Sequence, residues 1–475
     1  MTRFLRFRRG SGRLASVVAF AVLAGCATTS APPQPDVGVP DAWREAPKPS
    51  EAAIPLDWWR AFDSSELANL VAEALAGSPD LAAASERVKQ AEAQVRVAGA
   101  SLFPALNLDV GSIRRDTHPN QGPAVNVDTT NGALSASYEI DLWGRLASGK
   151  RSAESSLLAS RYDLETARLT LVSGVATAYF DLLSLRDRLA LARKNVTTAE
   201  RVLAVVESRA RNGAATPLDL VRQRATTAST RAAIPPLELQ ERQTLTALAI
   251  LVGRTPAGFD VAGHSVIALA IPEIGPGLPA ELLVRRPDVA SAEAQLLAAN
   301  ANLAVARAAL LPQITLSGSV GLASGALFAF GNPATIFTAA AALAQPIFDG
   351  GQLRAQVDNA SARERELVET YRGTILAAFG DVENALAATS RNAQQEVLQS
   401  QVSTESSEAL RLAEVRYREG VDDLLVVLDA QRTLFQAQDQ LAQARLARLQ
   451  AAVSPYRALG GGWTLPKDAP RVGAR

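Results

Sequence analysis

The sequence predicts a mixed α and β membrane protein in which long helices alternate with short amphipathic strands, the whole plan occurring twice. Three observations predict it. Landmarks recur at a constant spacing, two spans of the chain lack proline and are rich in helix formers, and between the helices apolar and polar residues alternate.

The chain opens with a basic head carrying Arg3, Arg6, Arg8, Arg9 and Arg13, followed by an apolar stretch from Leu14 to Leu23 and the small pair Ala24-Gly25. That order is the pattern of a secretory signal, so residues 1–25 are expected to be removed. The apolar stretch is about half the ~20 residues a spanning helix needs. Leu23-Ala24-Gly25-Cys26 matches the bacterial lipoprotein box, and Cys26 is the only cysteine in 475 residues. By that match, acylated Cys26 becomes the first mature residue and residues 26–63 a lipidated N-terminal segment. Ala27 stands where an Asp typically retains lipoproteins at the inner membrane, so the outer membrane is the expected destination.

Removing residues 1–25 takes away five arginines and no acid, leaving 43 basic against 48 acidic side chains, a net charge of −5. Such a chain lacks the clustered Lys and Arg that phosphate neutralisation requires, which argues against a nucleic-acid partner. A lone thiol excludes an intrachain disulfide framework. His118 and His264 are the only histidines, too few for a His-based metal cluster, and no cofactor or metal is expected. No window after residue 25 holds 18 consecutive uncharged apolar residues, so any membrane crossing has to use β-strands.

Pro79-Asp80-Leu81 and Phe103-Pro104 recur as Pro287-Asp288-Val289 and Leu311-Pro312, 208 residues on. Gly144-Arg145-Leu146 and Arg211-Asn212-Gly213 recur as Gly351-Gln352-Leu353 and Arg418-Glu419-Gly420, 207 residues on. Four landmarks at one spacing mark an internal repeat. The first copy is expected over 64–253 and the second over 279–463, with a linker at 254–278 and a flexible tail at 464–475. Each copy reads as helix, hairpin (about 105–143 and 313–348), long helix (145–210 and 352–418), tip (211–217 and 419–423) and return helix. No proline interrupts residues 124–216 or 347–454. At ~1.5 Å per residue a 66-residue helix extends ~100 Å. Apolar residues such as Leu164, Leu171, Val175, Leu182, Leu185 and Leu189 recur at helical spacing, with Ala allowing close packing.

In the hairpins Leu106, Leu108 and Val110 alternate with Asn107, Asp109 and Gly111, and Leu134 to Leu142 and Ile314 to Leu322 alternate likewise. The fourth segment, Ile336 to Phe348, is mostly Ala and shows the pattern poorly. Each has about the ~9–11 residues of a tilted transmembrane strand. Longer Gly-, Pro- and Asn-rich loops are expected at Arg114–Asn131 and Ala323–Pro333. Two amphipathic hairpins packed on a soluble core are the alternative. Four strands cannot close a barrel, since the smallest need about eight, and an open edge in lipid leaves backbone groups unpaired. Membrane strands in this number therefore require several chains.

Leu278-Pro279-Ala280-Glu281-Leu282-Leu283-Val284-Arg285-Arg286-Pro287-Asp288-Val289, running through Ala292-Glu293 to Leu311-Pro312, resembles the signature of TolC-type outer-membrane efflux factors, in their OprM-like lipoprotein branch. Tyr138 to Gly144, Gln345 to Gly351 and Val427 to Arg432 support it. The resemblance spans about Trp58 to Trp463. It implies a homotrimer whose four strands per chain close a 12-stranded barrel, with the long helices forming an antiparallel helical barrel through the periplasm. It implies a periplasmic adaptor, an inner-membrane RND-type pump and outer-membrane lipid as partners, with no catalysis.

The resemblance also assigns the helix tips. Gly213 and Gly420 end long helices, as left-handed caps would; Thr216-Pro217 and Asp422-Asp423 begin the next ones. Arg211, Gly213, Arg418, Gly420, Asp422 and Asp423 are implied to face the adaptor. Asp429 matches the acidic ring of the closed aperture, and Tyr417 and Asp219 match a clasp between adjacent coiled coils. Pro235-Pro236 is expected to break the first return helix, with no counterpart at Ala442-Gln443. Gly144 to Lys150 imitates a phosphate-binding loop, but Arg151 replaces the Ser or Thr that binds magnesium. A coiled-coil lipoprotein and a duct for protein secretion remain as alternative readings.

Overall fold

Proline-free spans rich in Ala, Leu, Arg, Glu and Gln become single helices. In a computed structural model describing residues 35–45, 54–272, 275, 279 and 285–463, a 3-10 turn at Trp58–Phe62 precedes α1 (Ser65–Gly77) and α2 (Pro79–Ala100). Strands β1 (Ala105–Thr117) and β2 (Val125–Ile140) follow, then α3 (Arg145–Arg211), α4 (Pro217–Ala232) and α5 (Ile234–Leu251). The second half gives α6 (Pro287–Ala308), β3 (Gln313–Ser324), β4 (Ala334–Ala344), α7 (Gln352–Arg418) and α8 (Leu424–Ala458). Helices α2 and α6 both have 22 residues, and α3 and α7 both have 67. The first return helix breaks at Ala233, ahead of Pro235 and Pro236, because proline lacks the N–H that an interior position must donate. The uninterrupted α8 carries Pro455 only in its last turn.

The chain divides into two compact units. The first comprises Arg87–Ser160 and Ser291–Arg372. It holds the antiparallel sheet, in the order β1-β2-β3-β4. Register sorts the two faces. Leu108, Leu134, Val320 and Phe337 lie in one cross-strand row; Asn107, Ser135, Ser319 and Thr338 lie in the next, on the opposite face. Every residue of β4 is exposed, as is nearly all of β1. Strand pairing also continues through Arg114–Thr117 and Val125–Asn131, where the sequence suggested loop. There Arg114 holds Asp128 by two bonds of 2.8 Å, and Ser112 and Thr130 hydroxyls meet at 2.8 Å. Below the sheet Ser152 donates to the Ala298 carbonyl at 3.0 Å, and the Trp143 indole donates to Pro312 O at 2.6 Å.

The second unit comprises the described residues of Val37–Glu86, Arg161–Ala290 and Gly373–Arg475. Its main core gathers Trp58, Phe62, Leu67, Val71, Val175, Phe180, Leu183, Leu248, Leu449 and Tyr456. Trp58 stacks on Tyr456 at 4.7 Å, and the Phe62 and Phe180 rings lie 5.0 Å apart. Burial of these large side chains supplies most of this unit's cohesion. A second cluster, Val202, Val206, Leu410, Ala413, Tyr417, Leu424, Val427 and Leu434, packs the ends of α3, α7 and α8 together.

Candidate functional site: the helix tips and the cleft beside them

Both long helices end in the same turn. Gly213 (φ 73°) and Gly420 (φ 77°) occupy the left-handed region, where a side chain is strained. Gly213 N–H bonds Ala210 O at 3.1 Å and Ala214 N–H bonds Arg209 O at 2.8 Å. In the second tip Gly420 bonds Tyr417 O at 3.1 Å and Val421 bonds Arg416 O at 2.9 Å. These are the two bonds of a Schellman cap.

The tips then diverge. Thr216 and Asp219 form a capping box: Asp219 N–H donates to Thr216 Oγ1 at 3.2 Å, and Thr216 N–H donates to Asp219 Oδ2 at 2.9 Å. The Thr216 hydroxyl adds a bond of 2.8 Å to the same oxygen. The Thr216 backbone N–H and then its hydroxyl hold the Asp219 carboxyl below its ordinary range. In the other tip Asp423 takes the N-cap position without a side-chain cap bond. Asp422, instead of serving the dipole of α8, accepts Arg416 Nε at 2.6 Å and Nη2 at 2.9 Å, which lowers its pKa.

Arg209 and Arg416 hold the same place, four residues before the glycine of their Schellman turns, and their neighbours separate their roles. Arg416 finds Asp422; the corresponding position beside Arg209 is Ala215. Arg209 therefore reaches the other tip, where its guanidinium lies 4.6 Å from the Tyr417 ring centroid and donates to Tyr417 O. The Tyr417 hydroxyl is buried without a partner, and burial pushes its pKa up against the opposing Arg209 charge. Within one chain Tyr417 and Asp219 share no hydrogen bond: Arg209 meets the ring and carbonyl of Tyr417, and Asp219 caps its own helix. Arg211 and Arg418 are exposed at the tips, and neither forms an ion pair among the described residues.

Asp429 lies on α8 with its carboxylate 67% exposed and bonded by Arg432 at 2.6 Å. It lines a cleft of about 950 Å³ bounded by Leu191, Ala225, Leu237, Leu428 and Phe435. Arg188 crosses that cleft to Asp439, with bonds of 2.6 and 3.2 Å. The most specific sequence signature has a structural role. Arg286, 9% exposed, holds Asp288 at 3.0 and 2.7 Å, Asp381 at 3.0 Å and Ala458 O at 3.1 Å. Burial alone would raise the Asp288 pKa; the Arg286 bonds and charge outweigh it and leave the group below its ordinary value.

Near the N-terminus Trp43 packs edge-on against Phe379, and Glu45 pairs with Arg391 at 3.0 Å. Cys26, the signal and the tail at 464–475 lie outside the described residues. Among the described residues no group of His, Cys, Asp and Glu could hold a metal, and no helix is long and apolar enough to cross a membrane. Sequence reading missed Arg209, Arg416, Arg188 and Asp439. The basic pair at the 207-residue offset was a usable signal; the contacts were not.

The family model for outer membrane efflux proteins matches residues 70–254 and 278–461. A pyoverdine export outer membrane protein, OpmQ of Pseudomonas aeruginosa, is 45% identical over 462 residues, 95% of this chain and 97% of that one. Outer membrane protein OprJ of the same organism is 34% identical, covering 93% and 94%. Among solved structures, the outer-membrane channel OprN superposes with a TM-score of 0.83 at 29% identity, covering 92% of this chain and all of that one. The open state of the Neisseria gonorrhoeae MtrE channel gives 0.80 at 30%, covering 92% and 98%. This chain thus belongs to the outer membrane efflux protein family, as a non-enzymatic exit duct of the outer membrane reaching into the periplasm.

Proposed function

We infer that three copies of this chain, each built from two related halves, close one 12-stranded barrel that continues into a helical tunnel. The tunnel meets a periplasmic adaptor and an inner-membrane RND-type pump. The carrying observation is the sheet: β1 and β4 are bare edges, and the row Leu108, Leu134, Val320 and Phe337 is exposed at 73%, 48%, 47% and 77%. In lipid, unpaired backbone groups cost several kcal/mol each, and only neighbouring strands can remove both edges. Acylation of Cys26 adds a lipid anchor at the same membrane.

The mouth of the duct is assigned to the tips. Arg211, Gly213, Arg418, Gly420, Asp422 and Asp423 present the adaptor-facing surface. Asp429 from three chains would form a ring of like charges that attracts cations and repels itself, the ingredients of a selective constriction. Tyr417 acts through its ring and carbonyl, held by Arg209, while Asp219 keeps the first tip rigid. Small organic solutes are the cargo, and pyoverdine-type siderophores are the leading class because two pyoverdine exporters are 45% and 43% identical. A duct wall lined by Ser, Thr and Asn leaves selection among such solutes to the pump.

A photo-crosslinker at Asp423 in intact cells tests the assignment. Capture of a periplasmic adaptor together with a trimer on native gels is the expected result. A folded monomer in detergent, or a trimer that captures no adaptor, would overturn it.

A further inference from the structure

The two hairpins differ in charge. Strands β1 and β2 carry Asp109, Arg114, Arg115, Asp116, Asp128 and Glu139, whereas no charged residue occurs from Ala308 to Phe348. That neutral stretch includes the loop from Gly325 to Pro333 that joins β3 to β4. Polar turn residues ordinarily dominate a loop that meets water; here Leu327, Phe328 and Phe330 fall within four positions.

Contacts fix the side of the sheet on which this loop lies. Thr130 Oγ1 donates to Ala326 O at 2.6 Å, Phe328 N–H donates to Ser112 Oγ at 3.0 Å, and Ser324 Oγ donates to Gly331 O at 2.8 Å. Ser112, Thr130 and Ser324 form one cross-strand row, four residues along each strand from Leu108, Leu134 and Val320. Side chains alternate with a period of two, so both rows share a face. In the row between them, Val110↔Gly132, a methyl group on Gly132 would stand 3.2 Å from Cζ of Phe330. The loop therefore leaves β3, crosses β2 to reach β1, and returns to β4 over the apolar face. Asn107, Ser135, Ser319 and Thr338 lie on the other side of the sheet.

We propose that this loop is a strap on the outward wall of the barrel, with Phe328 and Phe330 set among the acyl chains of the outer leaflet. The inference rests on the barrel reading above, in which the row of Leu108, Leu134, Val320 and Phe337 meets lipid.

Height agrees with this placement. The lowest apolar pair between the hairpins is Ile140↔Ile314. Ten steps of ~3.4 Å from Ile140 up to Thr130 rise ~26 Å at a strand tilt of ~40°, close to the ~25 Å of a barrel's apolar band. The strap crosses at the upper margin of that band, where aromatic rings favour the interface. Strands β1 and β3 have no aromatic residue, and β2 has only Tyr138 near its lower end, so the loop supplies rings that these strands lack. Conformation agrees as well. Phe328 holds φ 55°, a value that a bulky side chain rarely adopts, and its ring is 82% exposed. Such a backbone persists where its surroundings enforce it, and the Ser112 and Thr130 hydroxyls on either side of Leu327 do so here. Transfer of an exposed ring from water to hydrocarbon is favourable.

Nitroxide labels on the full-length chain, reconstituted in vesicles of phosphatidylethanolamine and phosphatidylglycerol, test the placement. Each label sits on one added cysteine, and the parent chain controls for Cys26. Collisions with oxygen, which concentrates among acyl chains, are compared with collisions with a water-soluble nickel complex. Phe328→Cys is expected to show the oxygen excess of a lipid site, as is Val320→Cys on the apolar row. Ser319→Cys, on the opposite face, is expected to show nickel excess. Ala329→Cys repeats the test should loss of the Phe328 ring disturb the loop. Nickel excess at both loop positions, beside oxygen excess at Val320→Cys, would overturn the strap alone. Nickel excess at Val320→Cys as well would overturn the barrel reading beneath it.

Discussion

Replacing Arg209 with methionine keeps an unbranched stem and removes the guanidinium that ties the end of α3 to the end of α7. Four contacts vanish: the bond to Tyr417 O, long bonds of 3.4 Å to Arg418 O and 3.5 Å to Ala214 O, and the cation–π contact at 4.6 Å. A charge-assisted bond at a partly exposed site is worth about 1.5 kcal/mol, and a half-exposed cation–π contact about 0.5–1 kcal/mol. The long bonds are counted as nothing. The tie between the tips thus loses about 2–2.5 kcal/mol, which on the proposed gating is a ~30–70-fold shift toward open tips. Single-channel recording in planar bilayers reads this directly, as a rise in open occupancy of that order. Arg209→Lys, which keeps charge but loses the planar fork, should fall between. Tyr417→Phe is the control, because the deleted hydroxyl has no partner and is already buried. It should leave conductance unchanged. A silent Arg209→Met beside a leaky Tyr417→Phe would show that the hydroxyl, not the guanidinium, holds the tips.

Asp429→Asn removes the charge and keeps the shape, so reversal-potential measurements across a salt gradient should show lower cation preference with little change in trimer stability. Arg286→Met strands Asp288 and Asp381 beside a buried void of charge. Removing one partner of a buried pair costs about 3–5 kcal/mol, reduced here to about 2–3 because the two carboxylates are 35% and 55% exposed, and denaturant midpoints should record it. Since Asp288 is depressed in the folded chain, its contribution is present above the ordinary carboxylate pKa of about 4 and is lost as pH falls below it. The variant should therefore lose less stability on acidification than the parent does. Cys26→Ser should abolish incorporation of labelled palmitate while leaving trimer formation intact, and retained label would place the anchor elsewhere.

Much of this architecture was legible because helices and strands write periodicities of 3.6 and 2 into a chain. The 67-residue helices followed from missing prolines and good helix formers, and their ends from Arg-x-Gly turns. The break at Pro235-Pro236 followed from a missing N–H. Local chemistry sufficed for each. The loop expected at Arg114–Asn131 was shorter in fact. Its Arg, Asp and Thr residues do not alternate by hydropathy, yet Arg114 with Asp128 and Ser112 with Thr130 complete the ladder across strands. Sequence also set Tyr417 near the end of one long helix and Asp219 in the first turn of a return helix. It could not show that Thr216 already occupies the Asp219 carboxylate.

The amino-acid order by itself determined most of the helical and strand segments, the 207–208 residue spacing and the shortage of strands for one chain, since these depend on neighbours along the backbone. Tertiary structure decided the rest. An Ala-rich β4 has no alternation to choose a face, and only its hydrogen-bonded partner β3 sets Phe337, Ala339, Ala341 and Leu343 on the apolar side. Two arginines alike in sequence position were separated only in space, because an acid lies within reach of Arg416 and an aromatic ring within reach of Arg209.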